Sequence, residues 1–433
     1  MIFIYSEKQT ERLNYITHHI FNRILGIPFQ ICTNITAFEE HQGCKINYSN
    51  ADIENTVSIA PHTLLFEENI IDHKPEISIY KGMPIFFQTK QQNKTLPFDV
   101  FSACFFSLSR YEEYLPHLKD KHQRYDEKES LAFKNNFLNL AVVDRWIEEL
   151  ATAIKNSYPD TVFAERKCSF LPTYDVDIAY AYRNKGFLLQ TACYIRSLLK
   201  CDFKDIIKRT GILLKKHPDP YDTFDYLSSL HRLYNLRPCY FFLVAKKRSH
   251  YDRNTTCKNK SFKNLINKLA TNADIGLHTS YYAKDFPEKI DFETRFLQKI
   301  LQSPIVKNRH HYLRFSLPET YRLLESKGIK EEYSMGYVRS LGFRAGTCNP
   351  FFFFDLQNNR ASQMEVYPFF FMEDALSHVQ NQEEIVAHLR PYLEEVIRCK
   401  GTLVSLFHNE SFCEQKWRTV YEELLSYSRL VQV

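Results

Sequence analysis

The sequence predicts an α/β protein. A C-terminal (β/α) barrel of about seven strands spans residues 166–433, and a smaller α/β domain spans residues 1–160. Three observations carry this. After residue 166, short apolar runs alternate with amphipathic runs of helical period, the pattern of parallel strands joined by right-handed crossovers. The length of 433 residues suits two domains, one of them barrel-sized. Pro159-Asp160 interrupts the periodicity between the two.

In the N-terminal part, residues 1–5 form an apolar run expected to be a buried strand. Residues 10–25 place Leu13, Ile16, Ile20 and Ile24 at helical spacing. Residues 28–32, 45–48 and 56–60 read as short strands, 99–114 as a helix with a polar tail, and 141–154 as a second long helix. In the C-terminal part the expected strands are 169–173, 239–244, 274–277, 311–315, 342–344, 363–368 and 402–406. The expected helices are 221–236, 261–270, 292–301, 318–327, 383–400 and 414–427. The aromatic run 351–354 is expected in the core or in a cleft wall.

Composition narrows the class. The chain is 44% hydrophobic and 25% charged, ordinary for a globular protein with real cores. A net charge of +5 with no dense basic stripe argues against nucleic acid. Lys and Arg gather in 200–216 and 246–268. A solvated face explains such stretches, and contact with an anionic polymer or phosphate-bearing substrate is the sharper reading. Eleven cysteines, without a C-x-x-C or a regular framework, suit reduced thiols. The first sixteen residues lack a signal-peptide pattern, and no stretch is long enough to span a bilayer, so a cytoplasmic protein is expected.

The chemistry concentrates at strand ends. In Thr173-Tyr174-Asp175-Val176-Asp177 the two carboxylates lie two apart on an expected strand and share one side. Carboxylates held that close need a divalent metal, a shared proton or a basic partner. Turn capping is the plainer explanation of one such pair alone. Other strand ends, however, carry Ile275-Gly276-Leu277-His278, Gly342-Phe343-Arg344-Ala345-Gly346 and Leu406-Phe407-His408, and His310 and His311 begin the run His-His-Tyr-Leu-Arg-Phe at the expected strand 311–315. Strand C-terminal ends converge on one face of a barrel, and a carboxylate with two histidines makes a three-ligand metal site.

On these motifs, residues 166–433 resemble the polysaccharide deacetylase family, the NodB-homology carbohydrate esterases. The resemblance implies a distorted barrel that removes acyl groups from sugars with one divalent metal ion. Zinc is expected first, with cobalt, nickel or iron as alternatives. It makes Asp175 the general base, Asp177 and His278 metal ligands, Arg344 the residue that orients the base, and His408 the general acid. Four residues after His278, where the family's second metal histidine is expected, this chain has Tyr282. His311 is the expected replacement and His310 the competing one. The loop 371–374, with Glu373 and Asp374, is a candidate support for the catalytic Arg or His. The partner implied is a carbohydrate substrate. Two other readings stand beside it: a degenerate glycan-binding protein, which Tyr282 favours, and a hydrolase of another non-peptide C–N bond. The first 160 residues resemble an uncharacterised domain that precedes deacetylase-like domains in some bacterial proteins, most visibly in 105–114.

Overall fold

The computed structural model describes residues 1–432, so Val433, the end of the expected barrel segment, lies outside the described residues. The architecture is mixed α/β, with two principal sheets. The first is a four-stranded parallel sheet of β1 (Ile2–Ser6), β2 (Phe29–Cys32), β3 (Cys44–Tyr48) and β4 (Val57–Ile59), in the order β2-β1-β3-β4. A hairpin of β5 (Ser78–Tyr80) and β6 (Met83–Ile85) follows. The helix expected over 99–114 stops earlier. It spans Val100–Leu108, and Arg110 then takes a left-handed conformation (φ 53°) that turns the chain into a short 3-10 segment, Tyr111–Tyr114.

The second sheet has eight strands: β7 (Ser169–Val176), β8 (Cys239–Leu243), β9 (Asp274–Thr279), β10 (Lys307–His310), β11 (Glu331–Glu332), β12 (Phe351–Asp355), β13 (Arg360–Val366) and β14 (Thr402–His408). Their order is β12-β13-β11-β10-β9-β8-β7-β14. All neighbours pair in parallel except β12, which adds antiparallel at the edge. The sheet curls into a partial barrel. Past β14 only a single parallel bridge, Met372 to Leu406, continues the ring. Cys239, Phe241, Tyr333, Phe369, Val404 and Leu406 fill its interior.

Other elements differ from the sequence reading as well. The strand expected at 311–315 ends at His310, and His311–Leu313 is a 3-10 turn instead. Residues 342–344 form no strand. Gly342 (φ 151°) and Gly346 (φ 66°) bend this loop against Leu138 and Val142, a backbone course that side-chain-bearing residues rarely take. Glu331–Glu332 pairs as a strand too short to leave a periodic signal. No helix among the described residues is long and apolar enough to cross a membrane.

The two sheets are locked together by polar as well as apolar contacts. Phe354 on β12 packs against Tyr15 and Phe105 with ring centroids 5.0 Å away in each case. Buried Asp144 accepts from Thr347 Oγ1, Cys348 N and Asn349 Nδ2 at 2.9, 3.0 and 2.7 Å.

Candidate active site

β7 presents alternate side chains inward: Thr173, then Asp175, with Asp177 just past the strand end. The neighbouring strand β14 is in register with it, so His408 lies opposite Asp175. On β9, His278 faces the same cleft. Its Nε2 stands 3.2 Å from Asp177 Oδ1 and 3.6 Å from Asp175 Oδ2. Gly276 on β9 is required by packing, because a Cβ there would sit 2.5 Å from the Phe241 ring. That ring carries the Arg309 guanidinium, 4.6 Å above its centroid.

Asp175 is 2% exposed, and its compensating charge is Arg309 of β10, which is fully buried. Arg309 donates from Nη1 to Asp175 Oδ1 (2.9 Å), from Nη2 to Thr173 Oγ1 (2.8 Å) and from Nε to Tyr333 O (2.9 Å). The sequence reading gave this place to Arg344, and the structure corrects it. Arg344 is turned to Glu113, to which it donates from Nε and Nη2 at 2.9 and 2.7 Å, and to Gly336 O. Arg110 shares the same carboxylate at 2.8 Å. Glu113 thus holds Arg344, on the loop bent by Gly342 and Gly346, in this buried cluster and away from the strand ends.

Asp177, His278 and His311 come together: one ligand atom from each lies within 4.8 Å of the others. His311 Nε2 is 3.0 Å from Asp177 Oδ2, and its Nδ1 is 3.0 Å from Asp252 Oδ1. His310 is buried in the same cleft, outside this triad, and burial pushes its imidazole down to about 3, so it is neutral. Tyr282 sits in the 3-10 turn Tyr281–Lys284 beside Tyr251, with ring centroids 6.1 Å apart, and is not among the residues that line the cleft.

The triad fits a divalent ion by the chemistry of its donors. His278 Nδ1 is 2.9 Å from the Arg309 carbonyl, which can only accept, so the proton is on Nδ1 and Nε2 offers a lone pair. That Nε2 and Asp177 Oδ1 are both buried without a hydrogen-bond partner, although they face each other. Two lone-pair atoms so placed ask for a cation between them. On His311, Asp252 holds the distal nitrogen in the manner of a carboxylate–histidine–metal relay. Without an ion, protons serve. Burial opposes charge on His311, but the Asp177 and Asp252 carboxylates outweigh it and lift the imidazole to about 9. Burial likewise works against the Asp177 carboxylate, and the charge on His311 holds it well below its usual range. An ion held by these residues would take the place of that proton.

His408 points Nε2 toward Asp177 Oδ2, 3.9 Å away, and holds Glu373 Oε1 through Nδ1 at 2.6 Å. Glu373 is fixed by the His408 amide and by Ser411 Oγ at 2.6 and 2.7 Å. Burial disfavours the imidazolium, but Glu373 raises it well above the ordinary histidine value. Sequence reasoning missed Arg309 and Asp252. Arg309 left a signal, since it lies two before His311 and shares its parity on an extended chain. Asp252 left none, because it stands in the irregular segment after β8. The resulting cleft, about 530 Å³, is lined by both catalytic candidates and the triad, and also by residues 121, 122 and 124 of the N-terminal part.

Residues 2–159 match a family described as a family of unknown function (DUF7033). No curated protein sequence matches the chain. Among solved structures, similar folds include the polysaccharide deacetylase Bc1974 from Bacillus cereus, at 11% identity and TM-score 0.31, covering 61% of this chain and 88% of that one. A protein described as a probable polysaccharide deacetylase from Pseudomonas aeruginosa PAO1 has 12% identity and TM-score 0.39, covering 61% and 85%. The allantoinase Puue has 10% identity and TM-score 0.38, covering 61% and 85%. At TM-scores below 0.5 these likenesses bear no weight on activity, which rests on the site's own geometry.

Proposed function

We propose that this chain is a metal-dependent hydrolase that removes acyl groups, chiefly acetyl, from an amino sugar, a polysaccharide or its precursor. One observation carries the reading. A two-histidine, one-carboxylate triad with unpartnered lone pairs stands between a carboxylate clamped by a buried arginine and a histidine clamped by a buried glutamate. Asp177, His278 and His311 would hold the ion, zinc first, and it would supply Lewis-acid chemistry at the acyl carbonyl and at water.

The chain's own groups do the proton work. Asp175 takes the proton of the attacking water, with Arg309 fixing the carboxylate's orientation through the bond to Oδ1. His408 delivers a proton from Nε2 to the leaving nitrogen or oxygen. Glu373 holds the opposite ring nitrogen, keeps the ring protonated and sets its angle. The two groups enter from adjacent strands, β7 and β14, and this closeness supports a base and an acid that act on one scissile bond.

The test is acetate release from N-acetylated and O-acetylated sugars by the metal-loaded protein. Asp175→Asn and His408→Gln should each lower kcat by about 10²–10⁴-fold while metal content stays the same. Turnover by Asp175→Asn at the wild-type rate would remove Asp175 from the mechanism.

A further inference from the structure

The segment 119–125, inside the region of unknown function, is built as a wall of the cleft. Lys119 and Tyr125 form an antiparallel bridge across a turn. Asp120 closes it, accepting from the amides of His122 and Arg124 at 2.8 and 3.1 Å and from Arg124 Nε at 2.8 Å. The hairpin is bolted to the site loops. Arg124 Nη1 donates to Tyr312 O (2.7 Å), Arg314 Nε donates to His122 O (3.1 Å), and His122 Nδ1 meets Tyr281 Oη (3.0 Å).

This docking brings Lys121 to the same cleft as Arg253 and Arg339, and all three are exposed. Arg253 falls in the basic stretch 246–268 that the sequence singles out, next to Asp252, and itself takes no part in the acyl-transfer chemistry. Among the described residues none of the three pairs with a carboxylate, whereas Arg124 beside them is neutralised by Asp120. The cleft carboxylates Asp374 and Glu410 stand instead with His408. The cleft is therefore polarised, with acids toward β14 and free cations toward the hairpin. Tyr312, 37% exposed and T-shaped against His311 at 4.7 Å, presents a ring to the cleft beside the triad.

We propose that Lys121, Arg253 and Arg339 form a subsite for an anionic group, phosphoryl, sulfo or carboxylate, carried by the same sugar substrate whose acyl group is removed. This rests on the hydrolase reading for its substrate, and it assigns the N-terminal region a part in substrate selection. Single rim cations contribute little individually, so the effect is sought in the set.

The test uses metal-loaded full-length protein carrying Asp175→Asn, so that binding is read without turnover. Calorimetry at low salt compares N-acetylglucosamine with its 6-phosphate, with its 6-sulfate and with N-acetylmuramic acid, the three arms separating the anion types. At least one anionic sugar should bind about 10-fold tighter than the neutral one. That preference should fall several-fold at 0.5 M salt, where screening acts within a few ångströms. It should vanish in Lys121→Glu/Arg253→Glu/Arg339→Glu, with metal content and melting temperature as controls for folding. Equal affinity for the neutral sugar and all three anionic sugars, or a preference that survives the triple substitution in a folded protein, overturns the subsite. Acetate release from neutral substrates by the wild type is scored separately. A missing activity therefore counts against the hydrolase reading and a missing preference against the subsite.

Discussion

Replacing Arg309 by Met in metal-free protein tests which arginine serves Asp175. Arg309 is fully buried and is the cation hydrogen-bonded to Asp175, which is itself 2% exposed. Met keeps the length and apolar contact of the side chain, including its place over Phe241, so the cavity cost is small. What is lost is the charge. A buried carboxylate left without its cation costs about 3–5 kcal/mol. Asp175→Asn in the same chain removes the stranded charge, so the double variant should recover much of that loss. A charged hydrogen bond of this kind predicts a coupling of about 2–3 kcal/mol. The same cycle between Arg344→Met and Asp175→Asn should be additive within about 0.5 kcal/mol, because Arg344 bonds Glu113 and Gly336 instead. Urea denaturation in the presence of a chelator measures both cycles free of metal linkage. A coupling at Arg344 equal to or larger than that at Arg309 would refute the placement.

Asp252→Asn should weaken metal binding about 10–100-fold without removing a ligand, since Asp252 only holds His311 Nδ1; competition with a chromophoric chelator reads it. Arg124→Ala should also loosen the ion, by roughly 10-fold. It frees a turn in which Tyr312 (φ 60°) and Leu313 (φ 51°) are held left-handed at a cost of about 1–3 kcal/mol each, and wild-type affinity in that variant would show the turn supports itself. Burial alone would raise the Glu113 carboxyl, but Arg344 and Arg110 outweigh it and hold it at about 2. A depressed carboxyl contributes stability above its unfolded value near 4.3 and loses it as pH falls toward 2. Wild type should therefore lose roughly 3 kcal/mol relative to Glu113→Gln once pH is below about 2, of which a little over half is gone by pH 3, measured by urea midpoints at pH 6, 4 and 3.

The parallel alternation and the strand ends bearing Asp175, Asp177, His278 and His408 were legible because each lies on a strand long and apolar enough to show its period. Arg344 misled because its surroundings, Gly-Phe-Arg-Ala-Gly, fix a loop shape and not a direction. The direction is set by Glu113, 231 residues away, and no local pattern carries that information. Arg309 was hidden for the opposite reason. It sits on a four-residue strand whose own residues are all polar, so the strand was expected a few residues later, in the run that holds Tyr312, Leu313 and Phe315. Asp252 and the 119–125 hairpin reach the cleft from irregular segments, where hydrogen bonds to distant backbone, not periodicity, decide position.

The central claim is that Asp177, His278 and His311 hold one divalent ion beside Asp175. Elemental mass spectrometry on purified protein, after supply of zinc, cobalt, nickel or iron, tests it beside Asp177→Ala, His278→Ala, His310→Ala and His311→Ala. The account predicts close to one ion per chain in wild type and in His310→Ala, and its loss in the other three. A wild type that retains no metal under any of these conditions would contradict it and favour a glycan-binding protein on the same fold.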